Sequence, residues 1–539
     1  MTKAPPRDLL ARVNPSDTLG HLLANAADQF GSKTFLTVQN HSLSYVECFA
    51  AASRFANLLR RQGIRPGDRV AIMMENAPEY VVAWFGANLL GAVEVSINTA
   101  FKGQSLQYIL SQSGARAIVA HEDYAPVIRA ELPHLTELNC VIVTSSKSGG
   151  DEISWAEMER ESSNFDFELN PTDISMFGYT SGTTGPSKGA MVPHNRIVKT
   201  GHEMALLRGI GPEDNLFTCL PLFHGNAKYH TVLPALVSGC QATLTGRFSA
   251  SRFWDEIRES GATQFNYLGV TISILLKSEP SDLDRAHNVK LAFGAGAQSG
   301  LLEQFEERFG VHLMEAYGLT EGGIALANRI DDRRAGSCGK PMPGYEVAIV
   351  DDLDNELPAG EKGELVLRSH RPYTTMLGYY QMPAETTETY RNFWLHTGDL
   401  AWYDEDGFFF FVDRKKDAIR RRGENISTFE IEAAVNTHPD IFESAAFAVP
   451  ADVGEDDVMV VVVPKEGATI DFEALAEFCT EKMPYFWVPR YLRVAAGGLP
   501  RTPTNKVEKF KLRDRGVDAQ TWDRETSRPP QPDVLGKRK

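Results

Sequence analysis

A run of glycine, serine, threonine and lysine near residue 180 has the composition of a phosphate site. Glycine lets the backbone approach oxygen atoms closely, amides and hydroxyls donate hydrogen bonds, and lysine adds a point charge. A Walker loop needs Gly-Lys-Ser/Thr, whereas Lys188 here lies between Ser187 and Gly189. The run predicts a phosphate cradle of another kind, and a solvated polar loop is the alternative. Its candidate residues are Thr180, Ser181, Gly182, Thr183, Thr184 and Lys188.

Seven shorter motifs downstream also carry residues that could bind or react. Each has an ordinary alternative: Asp399 could be a turn residue, Tyr317 and His224 could be core residues, and Lys506 could be a solvated lysine. The motifs are Pro221-Leu-Phe-His224, Gly294-Ala-Gly-Ala297, Glu315-Ala-Tyr-Gly-Leu-Thr-Glu321, Trp394-Leu-His-Thr-Gly-Asp399, Asp413-Arg414 with Lys416, Arg422-Gly-Glu-Asn425 and Pro500-Arg-Thr-Pro-Thr-Asn-Lys506.

The elements that position these motifs alternate between strands and helices in the first part of the chain. Ser44-Tyr-Val-Glu47 has the form of a capping box that begins a helix. Apolar runs at 70–74, 92–97, 115–120 and 174–179 predict strands, with helices from Pro78 and near 106–110. This alternation predicts parallel α/β layers. A short strand is expected at 216–220 and a helix at 299–309.

The pattern changes after Tyr345, where short apolar runs at 347–350, 363–367 and 408–412 predict an antiparallel subdomain. The charged run at 413–417 predicts a hinge. We therefore expect an α/β fold. A large N-terminal domain (1–414) contains two α/β layered subdomains and a β-rich subdomain. A hinge at 415–416, a small mobile α+β C-terminal domain (417–516) and a flexible Pro-rich tail (517–539) follow.

Composition narrows the class of protein. The 539 residues are 42% hydrophobic and 23% charged, which suits several globular domains. A net charge of −16 argues against a nucleic-acid surface. The six scattered cysteines form no Cys-x-x-Cys pair, so they argue against zinc and favour a reducing, cytoplasmic location. No secretory signal is visible. The apolar stretch 80–97 contains Asn88, Gly91 and Glu94, so we expect no membrane segment there.

Taken together, the motifs resemble those of the adenylate-forming superfamily, which includes acyl-CoA synthetases, peptide-synthetase adenylation domains and firefly luciferase. The resemblance covers roughly residues 15–513, with the motifs in family order. It implies that ATP and a carboxylic acid form an acyl-adenylate, and that the acyl group then passes to a thiol. The first step sets one anion against another, so fixed positive charge and donors must offset the repulsion.

The resemblance assigns a role to each matching residue. The 180–188 loop would hold the β- and γ-phosphates, Thr320 would contact phosphate, and Thr184 and Glu321 would bind Mg²⁺. Tyr317 would stack on adenine, Asp399 would accept from the ribose hydroxyls, and Arg414 would support that contact. The remaining matches to the ATP or AMP site are Gly294, Ala295, Gly296, Glu315, Ala316 and Gly318.

The resemblance also implies two conformations of the C-terminal domain. Lys506 would reach the carboxylate and α-phosphate during adenylation, and Asn505 before it replaces a frequent family glycine. Rotation about Lys416 would then bring Gly423, Glu424 and Asn425 to coenzyme A. His224 would act near the acyl and thioester site.

The motif wording looks most like carnitine/crotonobetaine–CoA ligases and ligases of bulky acids. Phe223-His224 replaces the Phe-Asp common in peptide-synthetase adenylation domains, which disfavours an amino-acid substrate. An acid–CoA ligase using ATP, Mg²⁺ and coenzyme A is therefore expected. Loading of a carrier protein and a catalytically dead binding protein are the alternatives. By analogy with the family, the acyl pocket would be lined near 265–268, 294–297 and 322–325. The last two stretches are small residues, which leaves a medium-chain, aromatic, carnitine-like or steroid-like acid open. A homodimer is compatible with the sequence.

Overall fold

A computed structural model describes residues 16–145, 151–180, 186–276, 278–297, 299–414, 419–421, 424–426, 428–451, 455–495, 497–500, 507 and 509–527. The described residues group into two compact units. The N-terminal unit draws on Met1–Thr99, Tyr108–Tyr179 and Gly189–Asp413. The C-terminal unit draws on Ala100–Gln107, Thr180–Lys188 and Arg414–Lys539.

Strands and helices alternate up to and across the glycine-rich stretch. The elements are α1 (Leu19–Phe30), β1 (Thr34–Val38), β2 (His41–Ser44), α2 (Tyr45–Arg61), β3 (Arg69–Met73), α3 (Pro78–Leu89), β4 (Val93–Ser96), α4 (Gln104–Ser113), β5 (Ala115–Ala120), α5 (Ala125–Glu131), β6 (Cys140–Val143), β7 (Ile153–Ser154), β8 (Ile174–Thr180) and β9 (Lys188–Pro193). Strands β3 to β9 form one sheet in the order β7-β6-β5-β3-β4-β8-β9, parallel from β7 to β8. The predicted parallel α/β organisation is confirmed.

The next part of the chain completes a nine-stranded sheet. Its elements are α6 (His194–Leu207), β10 (Asn215–Thr218), α7 (Gly225–Ala227), α8 (Leu233–Ser238), β11 (Gln241–Leu244), α9 (Phe253–Ser260), β12 (Gln264–Leu268), α10 (Gly269–Leu276), β13 (Leu291–Ala295), α11 (Ser299–Phe309), β14 (His312–Leu319), β15 (Gly323–Ala327) and β16 (Lys340–Pro341). The order is β16-β15-β14-β13-β12-β10-β11-β1-β2, and strands β14 to β1 pair in parallel. Between α7 and α8 the backbone forms one π-helical segment, Lys228–Val232.

The β-rich subdomain has the predicted antiparallel character. It contains β17 (Tyr345–Val350), β18 (Gly363–Ser369), α12 (Pro383–Thr389), β19 (Leu395–Tyr403) and β20 (Phe409–Arg414). The four strands lie in sequence order in one sheet, and both β17–β18 and β18–β19 pair antiparallel.

The C-terminal unit is an α+β structure. It contains β21 (Ile419–Arg421), β22 (Glu424–Ile426), α13 (Thr428–Val435), β23 (Ile441–Pro450), β24 (Asp456–Pro464), α14 (Phe472–Lys482), β25 (Tyr491–Val494), α15 (Lys509–Arg515), β26 (Trp522–Asp523) and α16 (Arg524–Ser527). Strands β23 to β26 form one sheet, and β21 pairs with β22 as a separate hairpin. With the sheets of the N-terminal unit, this agrees with the predicted fold class.

Two elements of the C-terminal unit, β26 and α16, lie after residue 516, where the sequence places the start of the tail. Trp522 pairs with Leu492, and its ring stacks on Phe472 with the centroids 5.9 Å apart. Arg490 pairs with Asp523. A short polar sequence therefore joins the sheet through one stacked aromatic ring and a few ion pairs. Neither kind of contact leaves a periodic pattern in the sequence.

Local chemistry accounts for several element ends. Ser44 begins α2 as predicted, since its Oγ accepts from the Glu47 amide and the Glu47 carboxylate accepts from the Ser44 amide. Strand β10 ends at Thr218 rather than at Leu220, because the Leu220 amide donates to Thr218 Oγ1 at 3.1 Å and turns the chain. All six cysteines are free thiols, and five are buried. Among the described residues, no helix is both long enough and apolar enough to cross a bilayer.

Candidate functional site

The strand that leads into the glycine-rich loop meets the Thr320–Glu321 motif. Gly178 lies in β8, two residues before Thr180, and a Cβ there would collide with Thr320 Cγ2. Only glycine therefore allows β8 to pack this closely on Thr320. The loop residues Ser181, Gly182, Thr183 and Thr184 lie outside the described residues.

The strand that leaves the loop reaches the same motif through Tyr379. The backbone of β9 bonds to residues 377–380, with Tyr380 N to Gly189 O at 2.8 Å and Met191 N to Gly378 O at 2.9 Å. The Tyr379 hydroxyl then donates to Glu321 Oε1 at 2.7 Å. The two strands that flank the predicted phosphate loop thus converge on Thr320 and Glu321.

The loop residues next to Lys188 have a carboxylate partner inside the C-terminal unit. The Ser187 amide and hydroxyl donate to Glu430 Oε1 at 3.3 Å and 2.6 Å. Burial raises the pKa of Glu430, while the hydrogen bonds from Ser187 act in the opposite direction. These donors are of the kind that a phosphate oxygen would accept from. Lys188 itself is half-buried at the start of β9.

The residues predicted to hold the nucleoside contact each other directly. The Tyr317 hydroxyl donates to Asp399 Oδ2 at 2.6 Å, and both residues are buried. The Tyr317 ring also belongs to an apolar cluster with Leu326 and Ile349. The alternative of a core tyrosine therefore describes much of its packing, and the predicted adenine stacking stays a proposal.

Both members of this pair lie at strand irregularities that aim their side chains. In β19 the register against β18 shifts between His396 and Leu400, Gly398 has a φ of +72°, and its amide donates to Glu364 Oε1. In β14 the register against β15 shifts directly after Tyr317. Bulges re-aim side chains next to functional sites. Asp399 is therefore a strand residue at a bulge rather than a simple turn residue.

The glycine-rich end of β13 lies next to Glu315 on β14. The Ala297 amide donates to Glu315 Oε1 at 2.8 Å. Burial raises the pKa of Glu315 to about 7, and the amides of Ala297 and Gly296 limit that rise. A Cβ on Gly294 would collide with the Tyr267 ring, whereas a Cβ on Gly296 would meet open space. Of these two glycines, Gly296 is therefore the one that faces open space. Ala295 lies between them, and Ala316 and Gly318 lie on β14.

His224 precedes the unusual π-helical segment. Its ring packs edge-on against Phe223 at a centroid distance of 4.9 Å, and it is the N-cap residue of α7. Four residues later, Lys228 is fully buried and forms an ion pair with the buried Glu94 on β4. Single π-helical turns are frequent at functional sites. His224 therefore lies four residues before a buried lysine that is ion-paired with Glu94 on β4.

The predicted residues of the C-terminal domain are described only in part. Arg414 ends β20, and Glu424 and Asn425 lie in β22 opposite Arg421 and Arg420. Lys416, Gly423 and Lys506 lie outside the described residues.

The donor set suits Mg²⁺ that arrives with a nucleotide. Mg²⁺ in such sites keeps several waters and takes one or two carboxylates plus phosphate oxygens. Glu321 offers one oriented carboxylate, and the part of the chain that the structure describes contains no cluster of three His, Cys, Asp or Glu residues that could hold a metal by itself. Bound there, Mg²⁺ would neutralise charge on the phosphates.

Three residues around this site were not found by sequence reasoning: Arg196, Tyr345 and Tyr379. Arg196 lies on α6, where Lys199 and Glu203 follow at three and seven residues. That spacing indicates a solvated charged face, yet the side chains of Arg196, Lys199 and Glu203 are all buried. The tyrosines carried no motif signal.

The fold and the convergent phosphate and nucleoside residues define an adenylate-forming enzyme, and comparison with known proteins agrees. The profile described as AMP-binding enzyme matches residues 23–380, and that of the AMP-binding enzyme C-terminal domain matches residues 430–506. A crotonobetaine/carnitine–CoA ligase from Salmonella typhi is 31% identical over 502 residues, which cover 90% of this chain and 97% of the ligase.

Solved structures show the same relationship. The anthranilate CoA ligase AuaEII, solved with anthranoyl-AMP, has a TM-score of 0.73 at 26% identity and covers 94% of this chain and 98% of its own. ATP-bound MatB from Rhodopseudomonas palustris has a TM-score of 0.69 at 26% identity, with coverage of 93% and 99%. The chain belongs to the AMP-binding enzyme family, within the adenylate-forming superfamily, and the resemblance noted from its motifs is confirmed.

Proposed function

We propose that this protein is an AMP-forming acid–CoA ligase. It joins a carboxylic acid to the AMP part of ATP, releases pyrophosphate, and transfers the acyl group to the thiol of coenzyme A. The observation that carries the proposal is the convergence of β8 and β9 on Thr320 and Glu321, through Gly178 and Tyr379. Two strands that flank the predicted phosphate loop and meet at a carboxylate suited to Mg²⁺ fit the binding of an ATP that loses its two outer phosphates.

Each residue of the first step has a physical task. The donors of the 180–188 loop, including Lys188, hold the pyrophosphate that leaves. Thr320 orients phosphate and Glu321 holds Mg²⁺. Gly296 offers open backbone to the adenine, while Tyr317 and Asp399 bind the nucleoside with support from Arg414. Lys506 stabilises the charge that develops between the carboxylate and the α-phosphate.

The second step uses the other assigned residues. Domain 417–516 turns about Lys416, so that Lys506 acts in adenylation and Gly423, Glu424 and Asn425 act with coenzyme A. A glycine at 423 leaves room for a thiol, because it carries no side chain. His224 lies near the acyl group, where the ion pair of Lys228 with Glu94 fixes the segment behind it.

The acid is proposed from the relatives. The names of two relatives state their acids: crotonobetaine or carnitine for one ligase, and anthranilate for the other. We therefore place the substrate among compact or bulky carboxylic acids. The free and mostly buried thiols fit a reducing cytoplasm. Light scattering on the purified protein would show whether it is a homodimer.

The direct test uses the purified full chain with ATP, Mg²⁺ and a panel of betaine, aromatic, medium-chain and steroid-like acids. Pyrophosphate and AMP release are measured with and without coenzyme A, and acyl-CoA is identified by mass. AMP release that depends on coenzyme A supports the proposal. Transfer only to a carrier protein would favour the carrier-loading alternative, and no adenylate with any acid would favour the binding-protein alternative.

Lys506→Ala separates the two steps. Adenylation should fall by ~10²–10³, the effect of losing one transition-state charge contact. Thioester formation from supplied acyl-adenylate should survive. Lys511→Ala, which removes an exposed lysine on α15, is the matched control. An equal loss in both half-reactions would contradict the assignment of two conformations.

A further inference from the structure

The connection between β14 and β15 is held at four consecutive backbone carbonyls by groups from outside the hairpin. This turn, Leu319–Gly323, carries Thr320 and Glu321. Arg196 donates to the carbonyls of Leu319, at 3.1 Å, and of Thr320. The Met376 amide donates to Glu321 O at 2.7 Å, and the Tyr345 hydroxyl donates to Gly322 O at 2.7 Å. Four consecutive carbonyls thus have donors from three separate parts of the chain.

The glycines of the turn serve these donors. Gly323 has a φ of +82°, and a Cβ there would come within 2.8 Å of the Tyr345 hydroxyl. A Cβ on Gly322 would lie 2.9 Å from Leu319 and 3.1 Å from Leu367. Glycine is therefore needed at both positions for the turn to pack against Tyr345, Leu319 and Leu367. This packing role is separate from the acyl-pocket role that the sequence suggested for 322–325.

Arg196 is the charged member of this support and is only 2% exposed. A buried guanidinium is costly unless its N–H groups are paired. Here two neighbouring carbonyls accept from its two terminal nitrogens, so the fork geometry of arginine matches a pair of backbone acceptors. The Lys199–Glu203 pair lies further along α6 and is equally buried. Burial raises the pKa of Glu203, and the cations Lys199, Arg371 and Arg196 oppose that rise.

The position of Arg196 excludes a direct role with substrate. Its two terminal nitrogens already face the turn, and its side chain is closed to solvent. It also lies on the helix that starts directly after β9, the strand that leaves the predicted phosphate loop. The helix that follows β9 along the chain therefore carries the arginine that bonds to the turn with Glu321.

We propose that Arg196 is a positioning residue for adenylation: it fixes the Leu319–Gly323 turn so that Thr320 and Glu321 meet Mg²⁺ and phosphate without rearrangement. The inference rests on the proposed function. A group held in place beforehand stabilises developing charge without reorganising during the reaction. Arg196 acts through the turn, and Tyr345 supports it from the other side.

The test measures metal affinity as well as activity. Binding of Mn²⁺ in the presence of a non-hydrolysable ATP analogue is followed by electron paramagnetic resonance, and pyrophosphate release is titrated with Mg²⁺. For Arg196→Gln we expect Mn²⁺ affinity to fall ~10-fold and adenylation ~10–100-fold, whereas thioester formation from supplied acyl-adenylate should stay close to wild type. Arg196→Lys keeps the charge but loses the forked guanidinium. Its Mn²⁺ affinity and adenylation rate should therefore lie between those of wild type and Arg196→Gln.

The matched control is Thr200→Val. Thr200 is buried on the same helix and donates only to the Arg196 backbone carbonyl among its described hydrogen bonds, so its loss should leave both readouts unchanged. If Arg196→Gln does not fold, Tyr345→Phe decides, because it removes one hydroxyl and should lower Mn²⁺ affinity ~3-fold.

A folded Arg196→Gln or Tyr345→Phe protein with wild-type metal affinity and adenylation would overturn the inference. So would an equal loss in both half-reactions. A wild-type protein that forms no adenylate with any acid would instead contradict the proposed function. The Mn²⁺ measurement would still test the role of Arg196, because metal binding requires no reaction.

Discussion

Two neighbouring regions, strand β14 and the turn that follows it, are fixed in different ways. The Leu319–Gly323 turn is held through its backbone, with donors on each carbonyl from Leu319 to Gly322. Two residues before it, Tyr317 is held to Asp399 by a side-chain hydrogen bond of 2.6 Å. The Glu321 carboxylate on the turn accepts from the Tyr379 hydroxyl through one oxygen. In the other region, Tyr317 and Asp399 bond directly to each other.

The difference predicts different kinetic roles. A turn fixed by its backbone needs no ordering when ATP arrives, so changes there should act on the rate of adenylation. A pair of side chains that bond to each other must share that bond with the ribose, so changes there should act on nucleotide affinity. Four substitutions can break or sharpen this contrast.

Glu321→Gln should have the largest effect. It keeps the size of the side chain and an acceptor for the Tyr379 hydroxyl but loses the charge that would hold Mg²⁺. Pyrophosphate release at saturating acid should fall by ~10²–10³, with little change in the affinity for AMP. Glu303→Gln, at an exposed position on α11, is the control. Wild-type rates across a Mg²⁺ titration would contradict the metal assignment.

Glu315→Gln tests the buried carboxyl on the nucleoside side. Burial raises its pKa from 4.5 to about 7 in the folded state, so the folded protein binds the proton more tightly than the unfolded chain. The resulting stability is fully present below about pH 4.5 and is lost as pH rises to about 7, a change of about 3 kcal/mol.

Glutamine imitates the protonated carboxyl at all pH values. The variant should therefore unfold at a higher temperature than wild type at pH 8 and at a similar temperature at pH 5. Thermal midpoints at both pH values check this, with Glu303→Gln as the exposed control. A difference between variant and wild type that does not change with pH would show that Glu315 is ionised throughout.

The fold was predictable where local and global signals agreed. The alternation of apolar strands and helices before residue 180 has the parallel pairing that the pattern predicts, and Ser44 and Glu47 form the expected cap. The end of the C-terminal unit was not predictable, because Trp522 joins the sheet through one stacked ring and one pair of strand residues. Such contacts leave no period in the sequence.

The candidate site divides in the same way. Motif order assigned Thr320 and Glu321 to the same phosphate site as the 180–188 loop, without any knowledge of the path between them. The supports were not predicted, since Arg196, Lys199 and Glu203 have the spacing of a solvated helix face. All three are buried in the fold, where Arg196 bonds to the turn and Lys199 lies over the Tyr345 ring of β17. Burial of charge depends on tertiary partners that periodicity does not report.

Asp399→Asn should act on nucleotide affinity rather than on rate. Asparagine keeps an acceptor for one hydroxyl but loses the negative charge, and a hydrogen bond to a charged group contributes about 1.5–3 kcal/mol. The KM for ATP and the dissociation constant for AMP should each rise by ~10–100-fold, while the rate at saturating ATP changes little. Asp406→Asn, in the exposed turn after β19, is the control. A loss confined to the rate would reverse the contrast with Glu321.

Tyr317→Phe should have the smallest effect, and its sign is the sharper test. The hydroxyl that donates to Asp399 stabilises the ligand-free protein, so its removal should lower the thermal midpoint. The ribose would then no longer compete with the tyrosine for the carboxylate, and the ring that faces Leu326 and Ile349 would remain. AMP affinity should therefore rise ~2–10-fold, because the ribose gains a carboxylate acceptor that it no longer shares. Calorimetric titration with AMP measures it, and weaker binding would mean that the hydroxyl contributes to the bound state, which would make this pair as preorganised as the turn.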